Sequence, residues 1–321
     1  MRPFAPAAMT ICRPHSSYLR GRAGGLLTVL PLGLRHAASR SAGSVRGQPD
    51  GLRGDAATRP RRHGPPRDRE KALAVVRRAV ELGVDHIDTA QYYGPDVANE
   101  LLREALHPFP DNLALVSKVG ARRDDKGGWL AADRPEELRS GIEDNLRTLG
   151  VDRLAAVNLR LLDAGHRTGV SFDDQLGAMA AARDEGLIAG VGLSNVSHEQ
   201  LLHALELTPI VCVQNPLNVT DRAGLPVLQE CADKGIPFVP FFPLGSAFAP
   251  DKPVLNHPVV AATASRLGAT AGQVALAWLL ALAPRVLLIP GTSSLAHLEE
   301  NLAAAEVVLD DEARRALDAI A

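Results

Sequence analysis

Residues 134–161 read RPEELRSGIEDNLRTLGVDRLAAVNLRL, and this stretch holds one whole helix-and-strand unit. Pro135 stands at a helix start, where its missing N–H is no loss and its fixed φ suits the first turn. Leu138, Ile142, Leu146 and Leu149 recur at three- and four-residue spacing, which puts them on one stripe with charges between, and Gly150 ends the run. Leu154 to Leu161 then has the length and the aliphatic content of a strand. A helix with a single apolar stripe beside a short strand hides that stripe by lying on a sheet.

The unit recurs on both sides. Arg67 to Leu82 carries Leu73, Val76 and Val80 on one face and stops at Gly83. Further strand candidates are Val84 to Ala90, Leu113 to Val119, Ile188 to Asn195, Val211 to Leu217, Ile236 to Leu244 and Val286 to Pro290, which makes seven. They are apolar on both faces, as strands of a parallel sheet covered by helices are. The expected class is α/β, a (β/α)8 TIM barrel of seven clear units. Val29 to Arg35 is the best candidate for the missing first strand, although about 30 residues then separate it from the first helix, longer than ordinary connections. The alternative, an open doubly wound sheet, calls for a G-x-G-x-x-G turn after its first strand, and none follows any strand assigned here.

A chain of 321 residues is within the range of one barrel, and its 46% hydrophobic and 22% charged residues suit a large core. Cys12, Cys212 and Cys231 are too few and too scattered for a disulfide framework or a metal cage. The longest apolar stretch, near Val274 to Pro290, is broken by Pro284 and Arg285, so no membrane span is expected. A net charge of −2 gives no sign of nucleic acid, and nothing in the pattern reads out an oligomeric state. The charge is uneven: residues 1–64 hold eleven Arg, no Lys, no Glu and only Asp50 and Asp55, a balance of +9 against −11 for the remainder. That opening segment reads as a poorly ordered leader, a transit peptide, or sequence foreign to the natural protein, such as an out-of-frame translation. Residues 65–321 are expected to form the barrel, in the cytoplasm.

Active sites of α/β barrels sit where strands end and the following loops begin. Polar residues at those ends are Asp88, Lys118, Arg160, Asn195 and Gln214. The chain has five lysines against thirty arginines, yet Lys118 lies inside an apolar run, where a cation is costly unless paired. Asp88, at the end of the preceding strand, is its natural partner, and for those two residues alone a purely structural ion pair is the alternative reading. Tyr93 adds chemistry to them. A phenol with a pKa near 10 is a poor proton donor at neutral pH, and a neighbouring ammonium lowers it by favouring phenolate.

The segment His86-Ile87-Asp88-Thr89-Ala90-Gln91-Tyr92-Tyr93-Gly94 resembles the signature of the aldo/keto reductase family, in which Asp, Tyr and Lys join a His as a catalytic tetrad. The resemblance continues through Gly192-Leu193-Ser194-Asn195, Gln214-Asn215, Pro243-Leu244-Gly245 and Ile289-Pro290-Gly291-Thr292 to Glu300-Asn301, in order along most of residues 65–321. It implies reduction of a small-molecule aldehyde or ketone with NADPH, without a Rossmann domain. It further implies that Ser194, Asn195 and Gln214 hold the nicotinamide carboxamide and that Phe241 stacks on its ring. Leu244 and Ser246 would then line the pyrophosphate channel, with Gly291, Thr292, His297, Glu300 and Asn301 at the adenosine end.

The sequence departs from the pattern in two places. Where the family usually has the tetrad His, this sequence has Arg160, which is charged at any working pH and offers five donors. It can bind a carbonyl and stabilise oxyanion charge, or it can be paired elsewhere in the barrel. Val157-Asn158-Leu159-Arg160 resembles a small bacterial branch that includes pyridoxal reductases, which implies a pyridoxal-like aldehyde, phosphorylated or otherwise anionic. At the cofactor's far end Gly291 and His297 replace the Lys and Arg that many relatives use on the 2′-phosphate. Trp129, in the loop Arg122 to Arg134, either walls the substrate pocket or pins that loop. Tyr92 and His86 read as structural neighbours. A non-catalytic cofactor-binding barrel, serving as sensor or scaffold, is the competing reading. A hydrolase is not supported, since there is neither a G-x-S-x-G elbow nor a metal-spaced His cluster.

Overall fold

A computed structural model describes residues 25–28, 68–125, 127–162, 168–245 and 253–320. The elements run β1 (Gly25–Thr28), α1 (Arg69–Glu81), β2 (Val84–Asp88), α2 (Val97–Leu106), β3 (Ala114–Arg123), β4 (Trp129–Ala132), α3 (Pro135–Leu149), β5 (Ala156–Arg160), α4 (Phe172–Asp184), β6 (Val191–Ser194), α5 (His198–Leu207), β7 (Ile210–Pro216), α6 (Leu225–Asp233), β8 (Phe238–Phe241), α7 (Pro258–Leu267), α8 (Ala271–Leu282), α9 (Leu295–Ala303) and α10 (Asp311–Asp318). Local chemistry explains the boundaries. Asp68 caps α1 by accepting from Lys71 N at 2.9 Å, and Gly83, at φ 93°, makes the turn into β2. On α3, Leu138, Ile142 and Leu149 are buried, Glu137 accepts from Arg134 N at 3.3 Å, and Gly150 closes the helix at φ 71°.

Strand order is β1-β2-β3-β5-β6-β7-β8, all parallel, with β4 turned back antiparallel on β3. Order in space therefore follows order in the chain, and the reversal that defines a doubly wound sheet is absent from these strands. After β8 the segment Val286–Ile289 is the next parallel stave, through the bridge Phe238↔Val286 and a 2.9 Å bond from Leu287 N to Phe238 O. The result is a (β/α)8 barrel. Among the described residues no helix is long and apolar enough to cross a membrane.

Alternation along the strands sorts the residues. Leu115, Val119, Val157, Leu159, Leu193, Val213 and Phe238 pack outward in the main core with the helices, whereas Val116, Ala156 and Cys212 cluster inside the barrel. The even-numbered residues of β3, β5, β6 and β7 thus face inward; at β8 the inward set becomes odd, with Val239 and Phe241 joining Leu287 and Ile289. The register Asn158↔Gly192↔Cys212 brings Cys212 Sγ to Asn158 Oδ1 at 3.3 Å across Gly192, where a Cβ would collide with both side chains.

Two expectations are corrected by the structure, and a third falls outside it. The candidate Val29 to Arg35 lies outside the described residues, and the first strand described is Gly25–Thr28. It pairs parallel with β2, so the leader segment supplies this stave of the barrel. The stretch Arg122 to Arg134 is largely a β-hairpin: β3 runs on to Arg123 and pairs with β4 around the Asp124–Gly128 turn. Finally, Val286 to Pro290 pairs with β8 by a single bridge and not as a ladder.

Behind β2 and β3 lies a buried polar cluster that the apolar stripe of α3 did not announce. Thr89 Oγ1 donates to Asn99 Oδ1 (2.8 Å), and Asn99 Nδ2 donates to Asn145 Oδ1 and Thr148 Oγ1 (2.9 Å each). Ser117 Oγ also donates to Asn145 Oδ1 (2.5 Å), and Asn145 Nδ2 donates to Gly141 O (2.7 Å). Asn145→Ala strips an acceptor from two buried donors, which predicts a loss of about 2–4 kcal/mol in urea unfolding at constant m-value. A loss under about 1 kcal/mol would show that the cluster is slack.

Candidate active site

The inward face of β2 ends in Asp88, and the same face of β3 carries Lys118, only 2% exposed. Lys118 Nζ donates to Asp88 Oδ1 and, at 3.0 Å, to Thr89 O; Gln214 Nε2 from β7 donates to Asp88 Oδ2 at 2.9 Å. Both carboxylate oxygens and two ammonium protons are engaged, the condition under which a buried pair is tolerated. The alternation that puts Lys118 and Gln214 on inward positions puts Arg160 and Ser194 there too.

Tyr93 sits in the turn after β2, held by its N–H on Ala90 O (3.0 Å) and by Ala98 N on its carbonyl (3.2 Å). Lys118 Nζ lies 5.1 Å from the centre of its ring. Among the described residues nothing hydrogen-bonds to the Tyr93 hydroxyl. Burial pushes the pKa of that hydroxyl up and Asp88 adds to the effect, while Arg160 and Arg123 oppose it. The groups that favour phenolate are thus guanidiniums, and the Lys118 ammonium spends its hydrogen bonds on Asp88 and Thr89. Tyr92 is buried edge-on between Tyr93 (5.4 Å, 86°) and Trp129 (5.3 Å, 77°). His86, two residues below Asp88, is buried as well; burial lowers its pKa to about 4, Lys118 lowers it further and Asp88 opposes.

Arg160 ends β5 with its guanidinium carbon 5.2 Å from the Phe241 ring and 5.8 Å from Trp129. Its Nη1 makes a long 3.4 Å contact with Ser194 Oγ, and its Nε is buried with no acceptor. Among the described residues it has no carboxylate partner. Arg123 was not singled out from the sequence, yet it belongs to the same mouth: the hairpin register sets it opposite Trp129, with its guanidinium carbon 3.3 Å from the ring centre. The Asp124–Gly128 turn ahead of Trp129 was the available hairpin signal. Gly120, at φ 101°, lets β3 pass Arg160, whose carbonyl a Cβ would strike.

Of the positions implied for the cofactor, Ser194, Asn195, Gln214 and Phe241 gather at this end of the barrel. Asn195 stands at φ 60° and donates Nδ2 to Leu161 O at 2.9 Å, so its amide braces the end of β6. Leu244 is half-buried against the main core, and Ser246 lies outside the described residues. Gly291 and Thr292 lead into α9, where Ser294 caps His297 N at 3.4 Å. Glu300 accepts from Thr270 Oγ1 at 2.6 Å, and Asn301 lies one residue on along α9.

Residues 58–321 match the model of the Aldo/keto reductase family. The chain belongs to that family. It is 48% identical to pyridoxine 4-dehydrogenase of Escherichia coli over 259 residues, 80% of this chain and 89% of that protein. An uncharacterized oxidoreductase of Schizosaccharomyces pombe is 38% identical over 254 residues, 79% of this chain and 80% of the relative. Among solved structures, a thermostable aldo-keto reductase in complex with the inhibitor epalrestat superposes with TM-score 0.69 at 30% identity, over 81% of this chain and 90% of that one. The aldo/keto reductase of Klebsiella pneumoniae in complex with NADP and acetate gives 0.66 at 27%, over 78% and 84%. As an aldo/keto reductase this chain is an oxidoreductase that reduces a carbonyl group with NADPH.

The reductase's neutral His86 sets a pH dependence. A pKa lowered from 6.5 to about 4 means that the unfolded chain binds the proton first, so this contribution to stability is complete above pH 6.5 and is lost as pH falls toward 4. The contribution is on the order of 3 kcal/mol. His86→Gln is expected to flatten the stability profile between pH 6.5 and 4, measured by urea unfolding; an unchanged slope would contradict the assignment.

Proposed function

We propose that this reductase converts a pyridoxal-like aldehyde to its alcohol, with Tyr93 as the proton donor. The observation that carries the reading is a Tyr93 hydroxyl with no hydrogen-bond partner among the described residues, set beside the satisfied Asp88–Lys118 pair and an Arg160 whose buried Nε–H has no acceptor. The similarity to the pyridoxine 4-dehydrogenase of E. coli supports the choice of aldehyde.

NADPH, when bound, supplies the hydride. The donor set fits its nicotinamide end: Gln214 gives its N–H to Asp88, and its Oε1 accepts nothing from the described residues, so it can take an amide proton. Ser194 and Asn195 flank it, and Phe241 offers a half-buried ring as a platform. Leu244 and Ser246 are assigned to the pyrophosphate, and to the adenosine end Gly291, Thr292 and His297 at the positive end of α9 with Glu300 and Asn301 farther along it.

Tyr93 Oη gives its proton to the carbonyl oxygen as the carbon is reduced. Asp88 and Lys118 fix the floor beneath the ring, and Arg160 and Arg123 favour the phenolate left behind. Arg160 directs its free donors at the carbonyl oxygen, where negative charge develops. The aromatic edges of Tyr92, Trp129 and Phe241 keep water from the site. Free buried Cys212 and Cys231 suit a reducing compartment and support a cytoplasmic setting.

Tyr93→Phe is expected to lower kcat with pyridoxal by about 10²–10⁴-fold while NADPH affinity, from fluorescence titration, stays close to wild type. Normal turnover in that variant would falsify the role. The cofactor preference is checked by comparing KM values, with NADPH expected at least tenfold below NADH; equal values refute it.

A further inference from the structure

Two guanidiniums flank one indole ring, Arg123 at 3.3 Å from the Trp129 centre and Arg160 at 5.8 Å. Each has a buried Nε–H with no acceptor, and among the described residues neither closes to an ion pair, although Asp124, next in the chain, favours the Arg123 charge from a distance. The hydrogen bonds they do make are neutral: Arg123 Nη1 to Gly127 O at 3.0 Å, Arg160 Nη1 to Ser194 Oγ at 3.4 Å. Asp88, the inward carboxylate, is occupied by Lys118 and Gln214. Arg160 disfavours the Arg123 charge, and buried charged donors without acceptors are unfavourable, so an anion within reach of both relieves both conditions.

The geometry points to an anion subsite formed by Arg123 and Arg160, which takes the ring oxygen of an ortho-hydroxy aromatic aldehyde as its phenolate. This rests on the reductase reading of the site and names what selects its substrate. Three features define the ligand. The walls are aromatic, Trp129, Tyr93 and Phe241, so a flat ring fits. Arg160 stands at the position where the family signature places its carbonyl-facing His, so an anion shared with Arg160 lies next to the reacting carbonyl. Both arginines also act on the Tyr93 hydroxyl, which keeps the anion at the reacting end of the ring and away from any phosphate on a longer arm. An ortho phenolate donates electrons into the carbonyl and blunts its reactivity; two guanidiniums on the phenolate oxygen withdraw that charge. Arg123 is therefore a specificity-determining residue, carried into place by its hairpin register opposite Trp129.

The test uses the full chain with NADPH. kcat/KM is measured for 2-hydroxybenzaldehyde, 2-methoxybenzaldehyde, pyridoxal and pyridoxal 5′-phosphate in wild type, Arg123→Gln and Arg123→Lys. Calorimetric Kd values for 2-hydroxybenzyl alcohol and benzyl alcohol give a readout without turnover. Wild type is expected to favour the hydroxyl over the methoxyl compound at least tenfold. Arg123→Gln should cut that ratio, and the matching Kd ratio, tenfold or more, and Arg123→Lys should restore part of it. Equal losses on both compounds, or an unchanged ratio, would mean that Arg123 only braces the hairpin, and would overturn the subsite while leaving the reductase reading intact. A loss confined to pyridoxal 5′-phosphate would assign Arg123 to a phosphate and overturn the phenolate. If no aldehyde is reduced but the Kd ratio still collapses in Arg123→Gln, the subsite stands and the reductase reading falls.

Discussion

An aspartate and a lysine, both closed off from solvent, meet inside the barrel, and much of the surrounding structure exists to make that meeting tolerable. Each ion taken from water costs several kcal/mol unless its partner and its remaining hydrogen bonds are in place. Here Asp88 uses both oxygens and Lys118 also reaches the Thr89 carbonyl, which ties β2 to β3 and, through Gln214, to β7 across the barrel. A slip of one residue in any of these strands would turn its polar member into the helix layer and leave a charge or an amide unsatisfied. The pair is thus a register lock as well as the floor beneath Tyr93.

Support for that floor comes from outside the barrel. The cluster of Thr89, Asn99, Ser117, Asn145 and Thr148 fastens the ends of β2 and β3 to α2 and α3, so the turn bearing Tyr93 leaves from a braced strand. The hairpin of β3 and β4 then lays Trp129 against Tyr92, and Tyr92 against Tyr93. Rigid neighbours of this kind hold a side chain in one orientation more firmly than a loop alone does.

Replacing the family's tetrad His by Arg160 changes the electrostatics of the mouth. A neutral imidazole would leave Tyr93 under the influence of burial and Asp88, both of which keep the phenol protonated. Arg160 and Arg123 supply positive charge on the opposite side, and among the described residues neither is closed into an ion pair. The site is therefore suited to gather negative charge, whether it develops on a reduced carbonyl or arrives with the substrate.

Periodicity alone was enough for the α/β class, the helix stripes and stops, and the strand ends on which Asp88, Lys118, Arg160 and Gln214 stand, because those are local properties of 3.6- and 2-residue repeats. The motif around Tyr93 was legible for the same reason: its spacing from Asp88 lies within one loop. Other features were invisible from the chain because they are relations between distant segments. The four residues Gly25–Thr28 become a strand only by pairing with β2, and a short apolar run in an arginine-rich leader carries no sign of that partner. Asn99 and Asn145 look like ordinary polar residues on helices until packing brings them together. Arg123 looks like a surface charge until antiparallel pairing sets it on Trp129 and beside Arg160. Which polar residues stand at the strand ends was written in the sequence; which charges act on one another was decided by register and packing, because electrostatic coupling depends on distance in space and not on separation along the chain.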